Sequence, residues 1–151
     1  MKPFSLKPLL SSLLAGFIAS LVHISLMEAK HRLGVLPAFE PQAYFQTIFS
    51  ALIPRGGSAF IWQYLPDING GLLLGFLFGR LFVYLPGSHF ASKGMFFGLC
   101  AWLLLGVVVF PLGGMGVFAY GAGLGYLPAV LMLMMLVVYS VTMSLIYSRL
   151  V

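Results

Sequence analysis

Four long apolar stretches follow one another along the chain, and each is long enough to cross a bilayer as a helix. One crossing needs about 20 mostly apolar residues. Pro86-Gly87 closes the second stretch and Pro111 closes the third, because proline ends helices sterically. We therefore predict an all-α transmembrane bundle of four helices, with spans at about 9–27, 68–85, 94–110 and 126–147.

The first external loop, 29–66, is the only sizeable region predicted to lie outside the membrane. Apolar residues recur at helical spacing within 42–53 with polar residues between them, which predicts a short amphipathic helix in the interface plane. An aromatic cluster follows just before the second span, at the depth where amphipathic rings settle. This loop either anchors the chain to lipid or docks a partner protein. The candidate contact residues are Phe45, Phe49, Phe60, Trp62 and Tyr64.

A segment with six glycines and no charge, 111–125, separates the third and fourth spans. A flexible linker in water would be polar, so we expect this segment to dip back into the outer leaflet, buried against protein that satisfies its backbone groups. Glycine also allows positive φ and the close approach of a ligand. A structural turn is favoured over a ligand-binding loop, since the phosphate-binding pattern GxxxxGK[ST] is absent.

Small residues recur at every fourth position in the predicted spans. Lipid tails are as apolar as leucine, so helices in a bilayer associate through close packing, and small residues let two backbones approach. The first span has Ser12, Gly16 and Ser20 at this spacing. Such a row of small residues can face another helix of the same chain or a helix of a second chain, and we favour packing within the chain. The candidate packing residues of the later spans are Gly71, Gly75, Gly79, Gly94, Gly98, Ser140 and Ser144.

The composition agrees with a lipid environment. Apolar residues make up 61% and charged residues 7% of the 151 positions, whereas soluble proteins have about 45–50% and about 25%. We therefore treat 1–151 as a single integral membrane domain. The net charge of +5 does not indicate binding of nucleic acid, because the basic residues are scattered among apolar runs. The lipid bilayer, with its anionic headgroups, is the expected partner.

The distribution of charge predicts which side of the membrane each end faces. Five basic residues and no acid fall on the side of both termini: Lys2, Lys7, Arg80, Lys93 and Arg149. The opposite side carries three basic and three acidic residues: Lys30, Arg32, Arg55, Glu28, Glu40 and Asp67. An excess of Lys and Arg marks the cytoplasmic side, so both termini are predicted to be cytoplasmic. Since this places no acid deep in a span, we do not expect proton-coupled transport.

His23 is the best candidate for chemistry within a span, because polar groups in a membrane are costly and often functional. It falls in the outer third of the first span, and Met132, Met134 and Met135 of the fourth span are predicted near its depth. Such a set would suit Cu(I), which accepts soft ligands. It could also supply the two axial ligands of a haem. Methionine is also a common core filler. A histidine that hydrogen-bonds a neighbouring helix, with no cofactor, is therefore the favoured interpretation.

The sequence offers no catalytic constellation. Cys100 is the only cysteine, so an internal disulfide is impossible, and we expect it to be a small buried residue. No nucleophile–base pattern and no metal-ligand spacing such as HExxH occurs. We therefore do not expect an enzyme.

Three stretches and one residue pair carry a resemblance to a known family. They are MEAKHRLGVLPAFEP (27–41), LLLGFLFGRLFVYLPG (72–87), KGMFFGLCAWLLLGVVVFPLGGMGVFA (93–119) and Tyr139-Ser140. In these the chain resembles an uncharacterised bacterial family of four-helix membrane proteins, over most of its length. The resemblance implies this architecture and a bacterial inner membrane, and it implies no substrate or activity.

Three functional hypotheses follow. The leading one is an accessory or structural subunit of a larger membrane assembly, because helix-packing motifs are abundant and ionisable groups are few. The second is a haem- or copper-handling redox protein that uses His23 with the three methionines. The third is a carrier of a small molecule or lipid that uses the glycine-rich segment. Other membrane subunits, or copies of the same chain, are the expected protein partners.

Overall fold

The computed structural model describes residues 6–35, 37–39 and 59–151, with the side chains of 59–63, 65 and 66 outside this description. Within these ranges the chain forms helices and no strand, which confirms the predicted all-α class. The four long helices are α1 (Leu6–Arg32), α2 (Ala59–Leu81), α3 (Phe90–Leu112) and α4 (Leu127–Leu150). The predicted amphipathic helix at 42–53, with Phe45 and Phe49, lies outside the described residues.

Three helices of the described part are long and apolar enough to cross a membrane, namely α1, α3 and α4. The helix α2 is not among them, since polar residues interrupt its apolar sequence: Asp67, Asn69 and Arg80 all lie within it. A helical membrane protein is thus supported at the level of three candidate crossings. The predicted count of four crossings stays a prediction.

The first helix extends beyond its predicted range of 9–27 and includes the charged residues that follow. Its end is a Schellman motif, in which Gly34 has a φ of 65° that glycine adopts without strain. The Gly34 N–H donates to the His31 carbonyl at 3.1 Å, and the Val35 N–H donates to the Lys30 carbonyl at 3.1 Å. These bonds satisfy carbonyls in the last turn and fix the helix end after Arg32.

The second helix begins and ends earlier than the predicted span of 68–85. It starts at Ala59 and passes through Pro66. The proline lacks an N–H and so removes one backbone hydrogen bond, but the helix continues on both sides of it. It stops at Leu81, whose carbonyl accepts from the N–H groups of both Tyr84 and Leu85. The helix therefore starts nine residues before the predicted span, and Asp67, which was predicted on the outer side of the membrane, lies inside it.

The third helix was predicted to end at Pro111, and instead it passes through this residue to Leu112. A π-helical turn, Leu105–Val109, precedes the proline, and the Phe110 N–H donates to the carbonyl five residues back. A proline ring clashes with the carbonyl four residues before it in a regular α-helix. The wider π-helical turn before Pro111 is one way in which a helix can accommodate the proline. Gly114, with a φ of 78°, then lies in the turn that ends the helix.

Cys100 was expected to be buried, and it is exposed on α3. The buried residues of this stretch are Gly94, Phe97, Gly98 and Ala101. Their spacing of three and four residues defines a single inner face, and Cys100 falls outside it. The small volume of cysteine therefore gave the wrong prediction, because helical register decides which residues face the neighbouring helix.

The helices pack in the spatial order α2–α1–α4–α3, with α1 against α2, α1 against α4 and α3 against α4. All neighbouring pairs are antiparallel. The end of the bundle that holds the first residue of α1 and the last residue of α4 is called the basic end here, because Lys7, Arg80, Lys93 and Arg149 lie near it. The opposite end, where α1 and α3 finish, is called the loop end.

An aromatic cluster closes the basic end of the bundle. Phe78 of α2 makes edge-on contacts with Phe82, Phe97 and Tyr147, at centroid distances of 5.1 to 5.7 Å. Lys93 Nζ lies 4.2 Å from the centroid of the Phe82 ring and donates to the Phe82 carbonyl at 2.8 Å. The Phe78–Phe97 contact joins the two outer helices of the row at this end.

Candidate functional site

Two helices approach each other backbone to backbone along a surface that we call the glycine seam. It consists of Ser12, Gly16 and Ser20 of α1 and Gly71, Gly75 and Gly79 of α2. A Cβ placed on Gly75 would lie 2.5 Å from the Ser12 carbonyl oxygen and 2.9 Å from Gly16 Cα. Such distances leave no room for a side chain, so glycine is required for this approach.

A buried pair of ionisable side chains continues the glycine seam toward the loop end. His23 follows Ser20 on α1 by about one turn, and Asp67 precedes Gly71 on α2 by one turn. His23 Nδ1 lies 4.0 Å from Asp67 Oδ1, and 14% and 13% of the two side chains are exposed. Asp67 thus lies within α2, eight residues after its first residue, and the absence of an acid deep in a membrane span stays a prediction.

Tyr139 of α4 joins this pair from a third helix. Its ring stands edge-on to the His23 ring, with centroids 6.3 Å apart and an interplanar angle of 86°. Its hydroxyl donates to the Gly71 carbonyl at 3.0 Å. Ser20 Oγ, also buried, donates to the Gly16 carbonyl at 2.9 Å. The four polar side chains together form a junction of α1, α2 and α4, which we call the polar junction.

The chemistry available at the polar junction is proton binding. An imidazole and a carboxylate at ion-pair distance can hold one proton between them, and burial strengthens their electrostatic interaction. Sequence reasoning named His23 and missed Asp67. The missed signal was the spacing itself, because Asp67, Gly71, Gly75 and Gly79 form one continuous series with an interval of four.

The predicted metal set is not gathered by this arrangement. Met132 is buried in a cluster with Phe110 and Met115, whereas Met134 is 57% exposed and faces away from the helices packed on α4. Met135 is buried on the same face as Met132, one turn from Tyr139 toward the loop end. Among the described residues, no group of three or more His, Cys, Asp or Glu side chains could hold a metal ion. The neighbours that the structure gives His23 are Asp67 and Tyr139.

The predicted packing residues of α3 and α4 face each other along a second seam. A Cβ on Gly94 would lie 2.8 Å from the Ser140 carbonyl oxygen, and one on Gly98 would lie 3.1 Å from the Leu136 carbonyl oxygen. Ser144 Oγ donates to the Phe90 carbonyl at 2.7 Å. Ser140 Oγ is fully buried and has no hydrogen-bond partner among the described residues.

The glycine-rich segment after α3 has an unusual backbone at the loop end. Phe118 and Ala119 have positive φ values of 52° and 60°, although neither is glycine. The Phe118 ring lies directly over Gly106, where a Cβ would overlap it, and it stacks on Trp102 at a centroid distance of 4.5 Å. Trp102 Nε1 in turn donates to the Ala129 carbonyl at 2.9 Å. Packing therefore holds this segment in a conformation that costs about 1–3 kcal/mol per residue.

The same segment carries an exposed apolar and aromatic surface, which we call the loop-end patch. Its members are Leu112, Val117, Tyr120 and Tyr126, with exposed fractions of 53% to 80%. A shallow groove of about 520 Å³ runs between Val117, Phe118 and the two tyrosines. Tyr120 and Tyr126 stand 5.5 Å apart, centroid to centroid, along this groove.

A buried lysine fastens the chain that follows α1 onto this end. Lys30 Nζ donates to the Phe39 carbonyl at 2.6 Å. Phe39 is fully buried and packs in the cluster that includes Phe110, Met115 and Met132. Of the predicted outer-loop contact residues, Tyr64 is half-buried, whereas Phe60 and Trp62 lie on α2 with side chains outside the described part.

Within the described residues the chain is helical, with three helices able to cross a membrane and a partly buried His–Asp pair where α1, α2 and α4 meet. Comparison of the chain with protein-family models, with curated proteins and with solved structures gives no match. Inference about function therefore starts from the geometry of the polar junction and the loop-end patch.

Proposed function

We propose that this chain is an accessory or structural subunit of a larger membrane protein assembly, without catalysis of its own. The loop-end patch is the observation that carries the proposal. Strained backbone persists where surrounding packing enforces it and concentrates at functional sites. Here the strain at Phe118 and Ala119 presents Val117 and Tyr120 outward.

The chemistry of the loop-end patch suits another membrane protein as its partner. Tyrosine is enriched at protein interfaces because it combines a large apolar ring with a polar tip. The patch is uncharged, and it has two tyrosines beside Leu112 and Val117. An uncharged surface at this place favours a subunit that lies beside the chain in the bilayer. The predicted docking role of the outer-loop aromatic residues Phe45, Phe49, Phe60, Trp62 and Tyr64 belongs to the same proposal.

The proposal includes a topology. All four helices cross a bacterial inner membrane, with α2 carried across by its packing on α1. The basic end faces the cytoplasm with both termini, in accordance with the excess of Lys and Arg there. Membership of the uncharacterised family that the sequence resembles is part of the same proposal.

The experiment is co-purification from bacterial membranes in a mild detergent, followed by mass spectrometry of the companions. The test variant replaces both patch tyrosines (Tyr120→Ala with Tyr126→Ala). The matched control is Phe96→Ala, which removes an aromatic ring that is 44% exposed on α3 and far from the loop end. We expect wild type and control to retain the same companions, and the double variant to lose them by about tenfold or more, because interface hot spots are worth about 2 kcal/mol or more.

Two results would contradict the proposal. One is a wild-type chain that elutes as a monomer with no companion. The other is a set of companions that the double variant retains at the wild-type level while the far-UV circular dichroism of both proteins is the same.

A further inference from the structure

The polar junction contains a pair of side chains of opposite charge type. Within the described part of the chain, His23 and Asp67 face each other across the α1–α2 interface with 4.0 Å between Nδ1 and Oδ1. A charge-assisted hydrogen bond has a length of about 2.7–2.9 Å. The pair therefore stands within ion-pair distance, with room to close by a side-chain movement of about 1 Å when a proton binds.

Other titratable groups lie on the three helices that meet at the pair. From α4, Tyr139 faces His23, and it is the only titratable residue of that helix before Tyr147. On α2, Tyr64 lies one turn before Asp67. On α1, Glu28 lies five residues beyond His23 and pairs with Arg32 at 2.9 Å, and Lys30 is bonded to the Phe39 carbonyl.

We propose that His23 and Asp67 form a proton-binding site, in which one proton from water is shared by the imidazole and the carboxylate at the junction of α1, α2 and α4. The step is the addition of one proton to the pair, with no electron transfer and no other bond broken. Tyr139 and Ser20 are not ligands of the proton. Ser20 donates to the Gly16 carbonyl of its own helix, and Tyr139 donates to the Gly71 carbonyl and so joins α4 to α2.

The location of the site has a consequence for helix packing. His23 lies nine residues before the end of α1, which is about 14 Å from the loop end at 1.5 Å per residue. About one seventh of each side chain is exposed, so the pair is not sealed inside the bundle. Because the pair lies on the α1–α2 interface, the charge state of the pair acts directly on the adhesion of these two helices.

The first experiment needs no substitution. Asp67 is the only aspartate of the chain, and there are three histidines. The full chain in detergent micelles, labelled with ¹³C at the aspartate carboxyl and with ¹⁵N in histidine, gives one carboxyl signal and three imidazole signals by NMR. His31→Gln and His89→Gln, which change exposed histidines, identify the His23 signal. We expect the Asp67 and His23 signals to change together over one pH range, since coupled groups titrate as a pair.

The second experiment measures the contribution of the carboxylate to proton binding. Asp67→Asn removes it, and Glu28→Gln is the matched control because it removes another carboxylate of the same end. At a fixed pH within the titration, the ratio of protonated to neutral His23 falls about tenfold or more in Asp67→Asn, the effect of an opposite charge within about 4–6 Å. The same ratio changes less than about threefold in Glu28→Gln, because exposed charges are screened.

Either of two outcomes overturns the proposal. His23 and Asp67 signals that change in separate pH ranges, or that do not change between pH 4 and 9, show that no proton is shared. A His23 titration that is the same in Asp67→Asn and in wild type also shows that the two side chains share no proton. If Asp67→Asn does not fold, the labelled wild type decides alone. Failure here leaves the proposed subunit role intact, because that role is tested at Tyr120 and Tyr126.

Discussion

The substitution Gly75→Ala tests whether close backbone packing holds α1 against α2. A Cβ on Gly75 would lie 2.5 Å from the Ser12 carbonyl oxygen and 2.9 Å from Gly16 Cα, whereas ordinary van der Waals contact begins at 3.4 Å. Both contacts are with backbone of the other helix, so no side chain can rotate out of the way. The helices must separate by about 0.9 Å, the difference between 2.5 and 3.4 Å.

The expected free-energy change has two opposing parts. Overpacking in a close-packed core costs about 1–3 kcal/mol, and rigid backbone contacts place Gly75→Ala in the upper part of that range. Alanine is the better helix former, by about 1 kcal/mol. The net effect is a destabilisation of about 1–2 kcal/mol. Gly70→Ala is the matched control, because a Cβ there meets nothing within 4 Å, and it should stabilise the protein by up to about 1 kcal/mol.

Equilibrium unfolding in mixed micelles of mild detergent and SDS, followed by circular dichroism, measures both variants. The free energies of unfolding should differ by about 1–3 kcal/mol between Gly70→Ala and Gly75→Ala. Equal stability of these two variants would refute the reasoning, because it would mean that α1 and α2 do not meet along the glycine seam.

Two further predictions use the same unfolding assay or hydrogen exchange. Ser144→Ala should lower the free energy of unfolding by about 1 kcal/mol, because it removes a hydrogen bond to the Phe90 carbonyl. Ser140→Ala should leave the free energy of unfolding unchanged or raise it, because the Ser140 hydroxyl has no partner among the described residues. A larger loss of stability in Ser140→Ala than in Ser144→Ala would contradict this. Gly106→Ala should displace the Phe118 ring and speed amide exchange across 113–126 while exchange in α1 is unchanged, and unaltered exchange in that segment would show that the contact does not hold it.

Much of the fold was predictable from the sequence, because hydrocarbon imposes long uninterrupted apolar runs. The fourth predicted span, 126–147, agrees with α4 to within three residues at each end. One error occurs where proline was treated as a helix end. Pro111 lies inside α3, where the π-helical turn makes room for it. Sequence periodicity does not reveal a π-helical turn, because that turn differs from an α-helix only in hydrogen bonds that shift by a single residue.

The candidate site was predictable only in part. His23 was identified from its polarity in an apolar run, but its neighbour was assigned to the outer loop because the helix boundary was set one residue after Asp67. Met134 was grouped with Met132 by proximity along the chain, whereas the helical turn of 100° per residue places them on different faces. The left-handed backbone at Phe118 was also not predictable, because it results from packing on Gly106 and Trp102.

The order of the helices in space has a consequence for biogenesis. The middle of the row is made by the first and the last helix of the chain, α1 and α4, while α2 and α3 stand on the two outsides. Each hairpin, α1–α2 and α3–α4, can form as soon as it leaves the ribosome, since its partners are close in sequence. The two hairpins can join only after α4 has been synthesised, because α4 supplies the contact with α1, including the Tyr139 ring that faces His23.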